Sequence, residues 1–226
     1  MPTMNDSENL QQVFSKFSED FNTLVSFHNN LLSSKGVDDQ YKELLFETLF
    51  FRLFRLYENT IGDFFIQYSL MASKHPDQYT CYISPKDEVH AQKLLAGALV
   101  QSDDTVRLDW AKPNQVKTKA EIFFSTENPI YIELGANSNS DIIKSAEVIR
   151  NYIAHNSPES RKRFTRVASS FIPSASPDSI LSAGVFLMTT PKIGCSRNKE
   201  IFMFFANSIY NFFDDIKTFF DEQSEE

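Results

Sequence analysis

At 226 residues the chain is long enough to bury a sizeable core without disulfides or metal. Its 22 Phe against 6 Gly favour helices over a turn-rich β protein. A formal charge of −8 argues against general coating of nucleic acid, while leaving room for a local basic site.

Length alone does not separate one large domain from two small ones. No run of about 18 uncharged apolar residues occurs, so no membrane span is expected. The N-terminus lacks the basic and apolar regions of a secretory signal, which predicts a cytoplasmic protein. Cys81 and Cys195 lie far apart with no metal-type spacing and read as two thiols rather than a disulfide.

Met1 to about Ser7 reads as a frayed tail. From Glu8 to Ser34, apolar residues such as Leu10, Phe14, Phe17, Phe21 and Leu24 recur every three or four positions and predict an amphipathic helix. Gly36 then suits the left-handed position after a helix end. Asp38 and Asp39 can cap a second helix running to about Ala72. Its middle, LLFETLFFRLFRLYENTIGDFFIQYSL, carries few charges, which places it at the centre of a bundle. Within it Arg55 and Glu58 are spaced i, i+3 and can pair. His75-Pro76-Asp77 closes it.

Residues 78–85 read as loop or a short strand. Ser84 and Pro85 resemble the cap and first turn of a helix reaching about Leu99. Residues 101–127 are hard to assign, with Trp110, Lys112, Pro113 and Asn114 suggesting a surface excursion and 119–124 either helix or strand. A loop-rich insertion over 101–135 is expected. Asn139 or Ser140 caps the next helix, which ends before Pro158. Residues 157–166 are charged, 172–177 are a Pro/Ser-rich loop, and 179–189 are apolar and ambiguous. A last helix spans about Asn198 to Asp221, with an aromatic face wide enough to meet a partner chain in part, and an acidic tail follows. The whole predicts a single all-α domain over 1–226: an up-and-down helical bundle with additional helices, flexible over 1–7 and 222–226.

The informative stretch is RNYIAH, Arg150 to His155. Projected at about 100° per residue, Ile142, Ala146, Ile149 and Ile153 fall within roughly 60° and predict a core stripe. Ser140, Lys144, Glu147, Asn151 and His155 fall on the opposite side within about 80°, with Arg150 flanking them. Val148, Tyr152 and Ile143 sit at the seams. A solvated helix face looks the same, so specificity must come from the residue string. The bare Arg-x4-His spacing arises by chance in about one sequence in seven of this composition, whereas RNxxAH falls below about one in a thousand.

That string resembles the R-x(4–6)-H signature of the HEPN superfamily, helical domains in which it marks a metal-independent ribonuclease. The long aromatic helix with Glu58 upstream is similar in placement. STENPIYIEL before the motif helix resembles the lead-in of RiboL-PSP and MAE-type HEPN proteins. The resemblance implies a HEPN-like bundle, an RNA substrate and a homodimer in which two motif helices line one cleft. It also implies a toxin or phage-defence setting, with an antitoxin or defence-system partner.

Side-chain chemistry agrees with this. His155 can exchange protons near neutral pH, Arg150 offers a fixed planar charge for phosphate oxygens, and Asn151 can hydrogen-bond imidazole or phosphate. Glu147 and Lys144 are supporting residues. Val148 and Tyr152 would suit the dimer seam, and Arg161, Lys162, Arg163 and Arg166 can hold RNA backbone. No metal and no cofactor is expected. The alternative is a non-catalytic HEPN module that binds a nucleotide or a partner. His28, His75 and His90 read as surface or satisfied histidines. No Gly-rich phosphate loop, HExxH, CxxC pair or GxSxG elbow occurs.

Overall fold

The structure, a computed structural model, describes residues 4–75, 79–96, 113–172, 182–191 and 197–225. Nine helices occur among them: α1 (Met4–Ser33), α2 (Asp39–Lys74), α3 (Glu88–Ala96), α4 (Pro113–Phe123), α5 (Pro129–Ala136), α6 (Ser140–His155), α7 (Pro158–Phe171), α8 (Ala183–Met188) and α9 (Ile201–Glu225). The only β pairing among the described residues is an isolated bridge between Cys81 and Phe124. The fold is an all-α helical bundle, as the composition predicts. No helix among the described residues is long and apolar enough to cross a membrane.

Local chemistry sets the boundaries. Helix α1 begins earlier than the hydrophobic pattern indicates, so Met4–Ser7 is helix rather than tail. Gly36 takes the left-handed backbone, φ +91°, and Asp38 caps α2 by accepting from the Gln40 amide at 2.8 Å. Helix α3 starts after Ser84-Pro85, because Asp87 is the better cap: its Oδ1 accepts from the His90 amide at 2.8 Å. The expected extension to Leu99 lies outside the described residues. Two helices occupy 113–136, where a loop-rich insertion was expected. Pro113 opens α4, and Asn128, ahead of Pro129, caps α5 through the Ile130 amide at 3.0 Å. The acidic tail is also helical as far as Glu225.

The chain divides into two compact units. The first comprises Met1–Ser18, Tyr57–Ser138 and Phe212–Glu226. Its centre is the buried Tyr68, packed against Phe64, Tyr79, Phe124 and Phe220. A phenol this deep needs a polar partner, and Tyr68 donates to Asn128 Oδ1 at 2.9 Å. Asn128 in turn donates to the Tyr79 carbonyl. One buried amide thus joins the cap of α5 to α2 and to the segment after it.

The second unit comprises Glu19–Leu56 and Asn139–Asn211. Phe202 and Phe205 of α9 meet Phe50 of α2, and Phe205 also packs on Phe171 of α7. His28, nearly fully buried, stacks on Phe202 and holds Glu200 with Nε2 to Oε2 at 2.9 Å, so it is a satisfied core histidine. Phe202, Phe205, Phe212 and Phe213 of α9 are buried in the chain's own interior, whereas Phe204, Phe219 and Phe220 are half-buried. The half-buried Cys81 is a free thiol, pushed up to about 11 by burial; Cys195 lies outside the described residues.

Helix α8, buried along Ala183, Gly184, Phe186 and Leu187, lies close against the start of α2. Ser182 donates to Glu43 at 2.8 Å, and the Gly184 amide donates to Glu47 Oε1 at 3.0 Å. A Cβ on Gly184 would come within 2.5 Å of the Glu43 carbonyl oxygen. Alanine ordinarily gains up to about 1 kcal/mol over glycine in a helix, but here the clash is with backbone and reverses the sign. Gly184→Ala is expected to lower stability by about 1–3 kcal/mol, read from a urea unfolding midpoint; an unchanged or raised midpoint would show that α8 does not pack this closely.

Candidate active site

Helix α6 carries the site within the second unit. It ends where expected, at His155, because Asn156 turns left-handed with φ 41° while its amide still donates to the Tyr152 carbonyl at 2.9 Å. Ser157 then caps α7, forming a capping box with Ser160, and Pro158 fills the first turn. The chain thus reverses over two residues, and α7 returns along α6, with which α8 also packs.

The buried face of α6 is Ile143, Ala146, Ile149 and Tyr152. This corrects the expected stripe: Ile142 and Ile153 are only half-buried, and two seam residues are core. The reason is α7, whose Phe164 ring stacks on Tyr152 at 4.5 Å and 8°. Tyr152 is 8% exposed, so it is not free to form a dimer seam as expected; Val148 remains half-buried.

The polar face holds together as a chain of contacts. Arg150 Nη1 donates to Asn151 Oδ1 at 2.8 Å, and Asn151 Nδ2 donates to Glu147 Oε1 at 2.7 Å. One turn earlier Lys144 pairs with Asp141 at 2.7 Å. Arg150 does more than flank this face. Its guanidinium carbon lies 5.8 Å from the Phe51 ring and 5.6 Å from the Phe54 ring on α2, distances typical of cation–π attraction. Hydrogen bonding on one side and two rings on another fix a planar cation at the junction of α6 and α2. His155 is exposed at the last turn and makes no hydrogen bond among the described residues. Along the helix it stands about 7.5 Å beyond Arg150 and about 140° around.

The sequence motif thus places Arg150, Asn151 and Glu147 in one connected group and His155 separately, beside the helix end. Phe51 and Phe54, which seat the arginine, were not singled out from sequence. Their only signal was an i, i+3 pair of aromatics on a helix already crowded with them.

On α7, Arg161, Lys162, Arg163 and Arg166 are all exposed, opposite the buried Ser160, Phe164, Ala168 and Phe171. Arg163 is paired with Glu159 at 2.9 Å, and its hydrogen bond and charge hold the Glu159 carboxyl below the usual range. Charge is divided unevenly between the units. The sequence of the second has 13 Lys and Arg against 11 Asp and Glu, a formal +2, and the first has 9 against 19, a formal −10. Seven of the eight arginines belong to the second unit. Among the described residues no group of His, Cys, Asp and Glu could hold a metal ion.

Comparison of the chain with protein-family models, with curated proteins and with solved structures finds no match.

The contacts rank the substitutions. Asn151→Ala removes two half-exposed hydrogen bonds and is expected to cost about 1–2 kcal/mol. Tyr152→Ala removes a buried ring and should cost about 3–5 kcal/mol. Unfolding midpoints of the two variants test this order. Equal losses would mean that Asn151 is a structural residue of the core.

Proposed function

We propose that the chain is a metal-independent endoribonuclease of HEPN type, with Arg150, Asn151 and His155 as its catalytic group. The observation that carries the reading is the fixed guanidinium of Arg150 on the same helix as the exposed imidazole of His155, in a string that resembles the HEPN signature. The reaction is attack of a ribose 2′-oxygen on the adjacent phosphorus. The P–O2′ bond forms and the P–O5′ bond breaks, a base takes the 2′ proton, and an acid protonates the leaving 5′-oxygen. Arg150, oriented before substrate arrives, stabilises the charge that builds on the phosphoryl oxygens. Asn151 positions Arg150 and is itself held by Glu147, which is a positioning residue; Lys144 adds charge on the turn before.

A single His155 cannot stand on both sides of the phosphorus, so a second copy supplies the other proton-transfer group across a two-fold cleft. The exposed cations of α7 lie one short turn from His155 and hold flanking RNA. A toxin or antiviral-defence setting, with a partner that restrains the nuclease, follows from the resemblance alone.

The separation of Arg150 from His155 favours one further reading, a non-catalytic module in which Arg150 binds the phosphate of a nucleotide. RNA cleavage in EDTA separates them. Wild type is expected to cut, and Arg150→Ala and His155→Ala to lose at least about a hundredfold in rate, the usual scale for one acid–base or charge-stabilising group. Cleavage that persists in His155→Ala, or that needs added metal, contradicts the nuclease. An inactive wild type that binds ATP supports the module.

A further inference from the structure

The four cations of α7 are all exposed, yet they do not share one face. Projected at about 100° per residue, Lys162, Arg166, Glu159 and Arg163 fall in that order within about 100°, on the side away from Phe164 and Ala168. Arg161 falls about 100° outside this stripe, beside the buried face. Lys162 and Arg166 stand one turn apart, about 6 Å along the axis, and neither makes an ion pair among the described residues.

One carboxylate stands among these cations. Glu159 accepts from Arg163 Nε at 2.9 Å. That hydrogen bond first, then the Arg163 charge, then Lys162 and Arg166 hold its carboxyl below the usual range. Arg163 and Glu159 are 65% and 66% exposed, so their pair lies in water and stabilises α7 only weakly. A carboxylate on a guanidinium occupies the place that a phosphate would take. Glu159 is also the member of the stripe nearest in sequence to His155, across the reversal at Asn156 and Ser157. In the direction away from His155, the stripe thus begins with an anion.

We infer that Glu159 is a built-in rival of the RNA: the strand lies along Lys162, Arg166 and Arg163, and one of its phosphates displaces the Glu159 carboxylate from Arg163. The inference rests on the ribonuclease reading and adds the face of α7 that the strand uses and a residue that weakens its hold. A lone phosphate only exchanges one anion for another at Arg163, whereas a strand also gains Lys162 and Arg166. A run of phosphates is therefore favoured over a single nucleotide. Glu159 touches none of the reacting atoms; it acts on binding.

The test is binding of a fluorescein-labelled single-stranded RNA to the full chain carrying His155→Ala, measured across a range of salt concentrations, beside cleavage by the wild type. Glu159→Gln is expected to tighten binding about two- to fivefold at low salt, the scale of one exposed ion pair, an outcome that loss of fold cannot produce. With Arg163→Ala already present, the same change is expected to gain little. Asp39→Asn, which removes an exposed carboxylate from α2 in the same unit, reports the effect of net charge alone and is expected to gain less than Glu159→Gln. Lys162→Ala and Arg166→Ala should each lower the slope of log K against log salt by about 0.7, and Arg161→Ala by less. If Glu159→Gln binds no tighter than Asp39→Asn, or gains as much without Arg163 as with it, Glu159 is no rival, and cleavage by the wild type leaves the ribonuclease standing. A slope loss in Arg161→Ala as large as in Lys162→Ala puts the strand on another face and overturns the inference. If the wild type neither binds nor cleaves RNA, the inference and the ribonuclease reading both fall.

Discussion

The guanidinium of Arg150, seated on Phe51 and Phe54 and held by Asn151, is the contact on which the functional account depends. An arginine free in solvent spends its charge on water and samples many rotamers. Here two rings and a side-chain amide limit it to one region, and Glu147 fixes the amide from behind. Preorganisation of this kind is what allows a charge to favour a transition state over a ground state. It also explains why Asn follows Arg in the string: at that position the side chain can accept from its neighbour and donate to the residue one turn earlier.

Everything that aims α6 serves this arrangement. The two-residue reversal at Asn156 and Ser157 brings α7 back so that Phe164 stacks on Tyr152. That stack sets the rotation of α6 about its axis, and the rotation turns Arg150 toward α2 while leaving His155 outside. The same reversal places a basic helix directly after the motif. A protein with a net charge of −8 thus gathers seven of its eight arginines into one unit with a formal charge of +2. On the proposed reading, that charge would favour approach of a polyanionic substrate to the second unit.

Much of this was legible in the sequence, for physical reasons that can be named. Helix α6 stops ahead of Pro158 as expected, with Asn156 in a left-handed backbone at its end, whereas the expected cap Asn139 makes no side-chain capping bond. Gly36 and Asp38 marked a helix stop and start because only certain residues tolerate a left-handed backbone or satisfy a free amide. Other features depended on partners distant in sequence. Nothing local distinguishes Tyr152 at a seam from Tyr152 in a core; α7 decides it. Ser84-Pro85 looked like a helix start, but Asp87 caps the helix three residues later through the His90 amide. Residues 113–127 were hard to assign, and a loop-rich insertion was expected to reach 135, because Pro113, Asn128 and Pro129 are turn formers as well as helix openers. The inward lean of Arg150 was invisible for the same reason, since a helical projection gives the direction of a side chain but not what waits there.

The central claim is that the Arg150–His155 helix directs attack by a ribose 2′-hydroxyl, and it can be addressed at the substrate rather than at the protein. An RNA that the chain cuts at one position is resynthesised with a single 2′-deoxyribose immediately 5′ of the cut. The account predicts that cleavage at that bond disappears in EDTA, while the unmodified RNA yields a 2′,3′-cyclic phosphate and a 5′-hydroxyl. Continued cleavage at the deoxy position, or a 5′-phosphate on the product, would contradict it.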